Sequence, residues 1–406
     1  MPVPLDKMHP IGDELHQPDT DNESYQEKTT MTSRERVLRA VRHEEGPLAV
    51  DFGGLHSSLH LKSYQEVMQA MGWELEEPDI QDWFQMIVFP QTRLLEYFGA
   101  DCVPVYPNPG SGWELNIMEE GNNQFFTNEW GIVLRKPKDG YFFDLYSCPM
   151  QKAVSLDEIK KYAWPDPEDP ARIKGLKEKL QRLRRETDKA LVLFNPIGGT
   201  HEHSYFLRGL TELLLDLAAN PDIADYLAAK VAEWQAAYFS FVLREIGQYV
   251  DIVQVGDDLG TTNGLIFSRD MYLKYYKNRE KTVIDAIQKA CDAHIYFHSC
   301  GSIREVIPDL IDIGVEILNP VQIQARNMDS AELKRDFGRD LTFWGGGCDP
   351  RVLTIGSKEN VRDEVNRRIE DFMKDGGFVF ASVHNIQAND PPENIITMFE
   401  TAGQYR

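Results

Sequence analysis

The apolar run IYFHSC (residues 295–300) ends with a histidine and a cysteine two positions apart. In an extended strand, residues i and i+2 project to the same side, so His298 and Cys300 can approach one ion together. Imidazole nitrogen and thiolate sulfur are ligands that zinc favours in proteins. A hydrogen-bonded core histidine beside an inert buried thiol would have the same spacing. The pair therefore indicates a metal site without establishing one by itself.

Two adjacent carboxylates end another apolar run, DIVQVGDD (251–258). Neighbouring side chains of a strand point in different directions, so one of Asp257 and Asp258 is expected to enter the site. Such a carboxylate can orient substrate, act as a catalytic acid or base, or hold a metal-ligating histidine in place. The alternative is that the pair caps a helix.

Other polar candidates also follow apolar runs. Cys348 comes after three glycines, where it is either a metal ligand or a small buried hydrophobe. His201 begins a His-Glu-His tripeptide, and polar residues at a helix start are the alternative to a ligand pair there. His384 is a further expected catalytic residue. The residues expected to bind substrate are His201, Asp51, Asn319 and Gln322.

Eight short β-branched and aromatic runs alternate with helical patterns along the chain. They cover residues 47–53, 101–106, 191–196, 251–258, 294–300, 315–320, 341–346 and 377–384. This alternation predicts an α/β fold, a (β/α)8 TIM barrel rather than an open sheet. No GxGxxG motif follows the first run, which disfavours a dinucleotide-binding sheet. In a barrel the carboxyl ends of all strands form one face, so the candidate residues should converge on one site.

The rest of the chain is expected to extend this single barrel. Residues 1–30 contain seven acids and two lysines and predict a flexible acidic N-terminal arm, so the barrel covers 31–406. TSRERVLRAVRH (32–43) predicts the first helix, capped by Thr32 or Ser33. Residues 107–188, between the second and third strands, predict an insertion of strands and turns that forms a lid or rim.

Composition limits the partners and the compartment. The 406 residues contain 43 Lys and Arg against 65 Asp and Glu, and the net charge of −22 disfavours nucleic acid or an anionic membrane as partners. No apolar run approaches the roughly 18 residues of a membrane span. The N-terminus lacks signal-peptide features, and five irregularly spaced cysteines suit a reducing compartment. We therefore expect a cytoplasmic protein.

Four motifs together resemble a known family. FHSCGSI, LNPVQ, GGGCDP and HNIQANDPPENI look like the uroporphyrinogen decarboxylase superfamily. Within it they most resemble the corrinoid-linked methyltransferases, which include methylcobalamin:coenzyme M methyltransferases and anaerobic demethylase components. The resemblance covers roughly residues 32–405 and is strongest from residue 250 onward.

The resemblance implies a zinc site. Members of the methyltransferase branch bind zinc through a His-x-Cys pair, matched here by His298 and Cys300, and through a late ligand near the last strand. That ligand is typically a cysteine seven residues before a P-x-E-N segment, whereas this chain has His384, as true decarboxylases do. The implied ligands are therefore His298, Cys300 and His384, with Cys348 as a nearby reserve for the third position.

The function implied is a zinc-dependent methyltransferase. It would move a methyl group between a small O-, N- or S-methyl compound and a corrinoid carried by a separate protein, with Asp258, Asp257 and His384 as catalytic residues. The corrinoid is expected to arrive on its carrier, because the nearest match to the cobalamin signature Asp-x-His-x-x-Gly, starting at Asp292, ends in Phe297.

Two alternatives stay open on the sequence alone. One is a cofactor-free decarboxylase of the uroporphyrinogen type, in which His384 and an aspartate stabilise a protonated intermediate. True decarboxylases resemble one another in an N-terminal arginine-rich motif that grips substrate carboxylates, and FGGLHSSLH (52–60) contains no arginine. The other is a non-catalytic module that binds a corrinoid protein or a metal. The methyl donor, the direction of transfer and the oligomeric state, a homodimer included, are left open.

Overall fold

The computed structural model describes residues 31–406, so the predicted arm, residues 1–30, lies outside the described residues. Eight parallel strands form one sheet that curves into a barrel. They are β1 Ala49–Val50, β2 Cys102–Val105, β3 Ala190–Leu193, β4 Ile252–Gly256, β5 His294–His298, β6 Ile317–Asn319, β7 Thr342–Trp344 and β8 Phe378–Phe380. Each strand overlaps one of the eight predicted runs, and the predicted (β/α)8 barrel is confirmed.

The register of the strands determines which residues lie next to each other just beyond the strand ends. The strands are hydrogen-bonded in the order β1–β8–β7–β6–β5–β4–β3–β2, and Asp101 N–H donates to the carbonyl oxygen of Val50 at 2.8 Å across the remaining seam. In the β4–β5 pair, Gly256 lies opposite His298. Asp258 and Cys300 each follow two residues later, so they leave the barrel side by side.

Alternation along the strands separates an inner core from an outer one. Along β5, Ile295 and Phe297 pack outward with the helices, whereas Tyr296 belongs to the inner cluster that also contains Trp344. Alternate side chains of a strand share a face, so His298 projects inward like Tyr296. The imidazole therefore lies above the inner aromatic layer, at the carboxyl end of the barrel.

Helices occupy the segments between the strands. None within residues 31–406 is long and apolar enough to cross a membrane. Two 3-10 helices cover Pro170–Ile173 and Gly247–Tyr249. The α-helices are Ser33–Val41, Leu61–Ala70, Thr92–Tyr97, Leu156–Ile159, Leu176–Glu186, Thr200–Arg208, Leu210–Ala219, Pro221–Ile246, Arg269–Tyr275, Lys277–Ala290, Ile307–Asp312, Ser330–Phe337, Pro350–Ile355, Lys358–Met373 and Pro392–Gly403.

The first helix begins where the sequence predicts. The hydroxyl of Thr32 accepts from the backbone N–H of Glu35 at 3.2 Å, and the Glu35 carboxylate accepts from the backbone N–H of Thr32 at 2.8 Å. This reciprocal capping box satisfies two of the free donors at the helix start. Thr32 is therefore the cap, and the helix packs against the amino end of the barrel.

The segment between β2 and β3 contains an antiparallel sheet of four strands, Met118–Glu120, Asn123–Thr127, Val133–Pro137 and Asp144–Ser147. Trp130 is 1% exposed and packs against Trp234 of a long barrel helix, with ring centroids 4.8 Å apart. A buried ion pair joins Arg172 to Glu129 at 3.2 Å. The segment is thus anchored on the barrel, and its role as a lid stays a prediction.

Two short hairpins pair Ile80–Asp82 with Ile87–Val88 and Gly260–Thr261 with Gly264–Leu265.

At the amino end of the barrel, buried aspartates form ion pairs with arginines. The Asp101 carboxylate accepts from Arg36 at 3.0 Å, from Arg406 at 2.9 Å and from the backbone N–H of Val50 at 2.9 Å. Asp251 pairs in the same way with Arg34 at 2.8 Å and Arg184 at 2.6 Å. These contacts tie the first helix and the C-terminus to the strand ends.

Candidate metal centre

His298, the last residue of β5, has one ring nitrogen free to bind a metal. Its Nδ1 lies 2.6 Å from Oδ1 of Asn319, while Nδ2 of Asn319 donates to the carbonyl oxygen of Trp344 at 2.9 Å. The amide oxygen can only accept, so Nδ1 carries the proton and the lone pair of Nε2 is free. Burial lowers the pKa of His298 to about 4, although Asp258 opposes this shift. The imidazole is therefore neutral at pH 7.

Cys300 lies beside that free nitrogen. Its Sγ is 3.6 Å from Nε2 of His298, and its backbone N–H donates to Oδ1 of Asp258 at 2.9 Å. The chain then turns at Gly301, whose φ of 89° favours glycine, and Gly301 N–H donates to Oε1 of Gln322 at 2.5 Å. These backbone contacts fix the position of the thiol.

Asp258 completes a group of three different donor atoms. Its Oδ1 is 3.9 Å from Nε2 of His298, and the ligand atoms of Asp258, His298 and Cys300 all lie within 4.8 Å of one another. Bonds of about 2.0–2.3 Å in a tetrahedral zinc site would place ligand atoms about 3.3–3.8 Å apart. Burial and the carboxylates of Asp258 and Glu202 raise the pKa of Cys300, whereas a bound divalent cation would favour the thiolate. Nitrogen, sulfur and oxygen at these distances fit zinc.

A second group of possible ligands consists of three imidazoles, His56, His298 and His384, whose nitrogens also lie within 4.8 Å of one another. His384 follows β8, and its Nδ1 lies 2.8 Å from Oδ1 of Asn385. His298 belongs to both groups. The predicted ligand set of His298, Cys300 and His384 is therefore divided between them: Cys300 belongs to one group and His384 to the other.

The two aspartates at the end of β4 point in different directions. The Asp257 carboxylate accepts from the hydroxyl of Thr200 at 3.0 Å and from the backbone N–H groups of His201 and Glu202 at 2.6 and 2.7 Å. It thus caps the helix Thr200–Arg208, the alternative that the sequence left open. Burial raises the pKa of Asp257 to about 7, against these hydrogen bonds. Asp258 is the aspartate that faces the metal-binding groups.

The remaining candidates lie around this centre. Asp51 accepts from the indole N–H of Trp344 at 2.9 Å, and burial raises its pKa to about 6. His201 is fully buried, with Nδ1 3.3 Å from the hydroxyl of Tyr276. Cys348 belongs to neither group of possible ligands, and its Sγ lies 3.7 Å from the carbonyl oxygen of Asp349. Contact of Asp51, His201, Asn319 or Gln322 with substrate stays a prediction.

Two residues near the centre were not among the sequence-predicted site residues. His56 lies in the loop after β1, within the stretch FGGLHSSLH. Glu202 follows β3; it raises the pKa of Cys300, and its own pKa is raised by burial and then by Asp258 and Asp257. The sequence signal for His56 was its place just beyond the end of a predicted strand, and for Glu202 also its place within the His-Glu-His tripeptide.

Comparisons with known proteins place this geometry in context. A family model described as "Uroporphyrinogen decarboxylase (URO-D)" matches residues 147–405, which confirms the resemblance seen in the motifs. A methyltransferase from Methanosarcina mazei has a TM-score of 0.60 at 16% identity, covering 93% of this chain and 99% of that chain. A β-glucosidase from Pyrococcus furiosus has a TM-score of 0.40 at 11% identity, covering 89% and 96%, too low to support an inference. The search of curated proteins gave no match.

Proposed function

The chain belongs to the uroporphyrinogen decarboxylase family, and we propose that within it this protein is a zinc-dependent methyltransferase. It would move a methyl group between a small O-, N- or S-methyl compound and a corrinoid bound to a separate carrier protein. The observation that carries the proposal is the 3.6 Å separation of Nε2 of His298 and Sγ of Cys300, beside Asp258 at the carboxyl end of the barrel. The methyltransferase from Methanosarcina mazei shares the fold, which agrees with the proposal without carrying it.

The residues that would hold zinc are His298, Cys300 and Asp258, and His384 belongs to a second group of possible ligands that shares His298. Zinc bound there would act as a Lewis acid on the heteroatom that carries or accepts the methyl group. Asn319 fixes the imidazole of His298 so that Nε2 faces the ligand position. Asp258 holds the backbone of Cys300, so the thiol and the imidazole keep their separation while substrate binds.

The mixed donor set favours one class of methyl compound. A site in which a carboxylate replaces the second thiolate has the same formal charge, but carboxylate oxygen donates less electron density to zinc than thiolate sulfur, so its zinc is the stronger Lewis acid. A stronger Lewis acid polarises a methyl-bearing oxygen or nitrogen more effectively, whereas two thiolates suit activation of a thiol acceptor. We therefore favour methyl removal from an ether or an amine as the reaction.

The alternative function, decarboxylation of a tetrapyrrole, would require cationic side chains that bind several carboxylates of the substrate. Three arginines of helices that follow barrel strands are engaged in ion pairs: Arg208 pairs with Asp216 at 2.7 Å, Arg269 with Asp309 at 2.7 Å and Arg351 with Asp349 at 2.6 Å. Together with the net charge of −22, these pairings favour the methyltransferase over a decarboxylase acting on a polyanion.

Metal analysis combined with a corrinoid assay tests the proposal. Protein produced with zinc should contain about one zinc per chain, and Cys300→Ser and His298→Ala should each remove most of it because each deletes one ligand. Cys291→Ser is the matched control, since Cys291 is half-buried on a helix end and belongs to neither group of ligands. Zinc-loaded protein mixed with a methylated corrinoid carrier and candidate acceptors should change the corrinoid absorption spectrum.

Three results would contradict the proposal. Protein without zinc that decarboxylates a porphyrinogen would establish the rival decarboxylase. Tight binding of a corrinoid carrier with no methyl transfer in either direction would establish a non-catalytic binding module. Full zinc in Cys300→Ser would show that the metal lies elsewhere.

A further inference from the structure

His56 has an unusual combination of burial and unused hydrogen-bonding capacity. Its side chain is 8% exposed, and within residues 31–406 neither ring nitrogen has a hydrogen-bond partner. The other two imidazoles of the centre each use Nδ1, His298 with Asn319 and His384 with Asn385. A neutral imidazole carries one donor and one acceptor, and buried polar atoms nearly always have partners. A buried imidazole with both nitrogens unpaired is typical of a residue that forms a hydrogen bond to a ligand.

The orientation of His56 separates it from the metal ligands. Its ring stacks on that of His298, with centroids 3.7 Å apart and an interplanar angle of 17°. A histidine binds a metal through a lone pair that lies in the plane of its own ring. Two nearly parallel planes at this spacing cannot both contain one nearby ion, whereas His298 and His384, inclined at 64°, can share one. The short distances within the imidazole group therefore do not make His56 a ligand of an ion held by His298.

The distances from His56 to His298 and His384 instead allow His56 to contact a ligand atom that is itself bound to the metal. A ring nitrogen of His56 lies within 4.8 Å of the ligand nitrogens of His298 and His384. Metal bonds of about 2.0–2.3 Å and a hydrogen bond of about 2.9 Å span such a gap through one shared heteroatom. Two other aromatic rings near His56 are those of Phe194 and Tyr296, with centroids 5.7 and 6.4 Å away. Within the described part of the chain, the two ring nitrogens of His56 are left free to contact a small ligand.

We propose that His56 is a substrate-binding residue that donates a hydrogen bond to the heteroatom of a small alcohol, phenol, thiol or amine in its metal-bound, methyl-free form. The inference rests on the proposed function for the presence of the metal. Because no partner within residues 31–406 fixes its tautomer, the ring can place the proton on whichever nitrogen faces the ligand. A hydrogen bond to an anionic oxygen or sulfur is stronger than one between neutral groups. His56 therefore stabilises the demethylated form.

Cobalt(II)-substituted protein titrated with 2-mercaptoethanol tests the inference through the visible cobalt spectrum, without any turnover. His56→Phe keeps an aromatic ring against His298 but removes both nitrogens, and His56→Asn restores a donor. We expect both variants to bind one cobalt per chain with unchanged thermal unfolding. His56→Phe should weaken the binding of 2-mercaptoethanol about tenfold or more, and His56→Asn should recover part of the loss.

The outcomes distinguish this inference from the proposed function. Wild-type protein that takes up no cobalt would overturn both. Loss of cobalt from His56→Phe, with its fold intact, would make His56 a metal ligand and overturn the inference alone. Equal affinity of His56→Phe and wild type for 2-mercaptoethanol would also overturn the inference alone. If His56→Phe does not fold, the same comparison of affinities is made with His56→Asn and His56→Gln, whose amide donors should differ in reach and hence in affinity.

Discussion

The two ends of the barrel contain acids in contrasting surroundings. At the amino end, Asp101 and Asp251 each pair with two arginines. At the carboxyl end, neither Asp257 nor Asp258 pairs with a lysine or arginine within residues 31–406, and Asp258 faces the neutral imidazole of His298 at 3.9 Å. Acids whose charge the protein itself satisfies contribute to stability, and Asp257 joins them through the hydrogen bonds by which it caps a helix. Asp258, left without a cation among the described residues, is available to a ligand.

Substitution of an acid at the amino end tests this contrast, because it should change stability without changing zinc binding. Asp101→Asn should lower the free energy of unfolding by about 3–5 kcal/mol, because it leaves the charges of Arg36 and Arg406 without their buried partner. Urea unfolding measures the change. The zinc content of the folded protein should not change, since Asp101 lies at the opposite end of the barrel from the metal centre.

Asp312→Asn is the matched control for Asp101. Its side chain is 70% exposed and pairs with Lys277 at 2.8 Å, so its removal should cost less than about 1 kcal/mol. A variant of Asp101 that unfolds like wild type but loses zinc would contradict the division of roles between the two ends.

A buried acid near the carboxyl end should show a smaller effect that depends on pH. Glu280 is 5% exposed and borders a small cavity with Gly199 and Gly256; its Oε2 accepts from the hydroxyl of Tyr272 at 2.6 Å. Burial raises the pKa of Glu280 well above its usual range. The unfolded carboxyl ionises near 4.3. The stabilising contribution of Glu280 is therefore complete below that pH and is lost as the pH rises through the folded pKa.

Glu280→Gln cannot ionise and should escape this loss. We expect the variant to be more stable than wild type at pH 7.5 by about 1 kcal/mol or more, and the difference to shrink toward pH 4. Urea unfolding at several pH values measures the difference, with the exposed Glu370→Gln as a control that should show no trend. A stability difference that is constant with pH would mean that Glu280 is ionised in the folded protein.

The smallest expected effect concerns a further ligand of the metal, beyond His298, Cys300 and Asp258. His384→Ala should lower the zinc content or affinity, because His384 shares a group of possible ligands with His298. Cys348→Ala should retain full zinc, because Cys348 is buried beside Asp349 and belongs to neither group. Zinc analysis of the two variants decides. Full zinc in His384→Ala with loss in Cys348→Ala would place this further ligand in the loop after β7 instead.

Much of the fold could be predicted from local patterns. Each barrel strand is a short run of β-branched and aromatic residues, and burial on both faces makes such runs stand out from the amphipathic helices between them. The pairing of His298 with Cys300 was also accessible, because the two-residue period of a strand is a local property. The first helix and its Thr32 cap followed from the same kind of local signal.

The arrangement of the centre depended on contacts that no local pattern records. Asp257 and Asp258 are adjacent and chemically identical. Asp257 nevertheless accepts hydrogen bonds from the start of the helix Thr200–Arg208, whereas Asp258 accepts one from the backbone N–H of Cys300. His56 gave no signal beyond its place after β1, since its stacking on His298 arises only when β1 and β5 face each other across the barrel.

The sequence by itself therefore determined the barrel, the face on which the polar residues meet and the His298–Cys300 pair, because each rests on spacing within one strand or on the alternation of strand and helix. Only the tertiary structure decided that Asp258 joins this pair, that His384 and His56 form a second group with His298, and that Cys348 belongs to neither group. The physical reason is that a metal centre is defined by distances of a few ångströms between side chains from different strands, and closure of the barrel sets those distances.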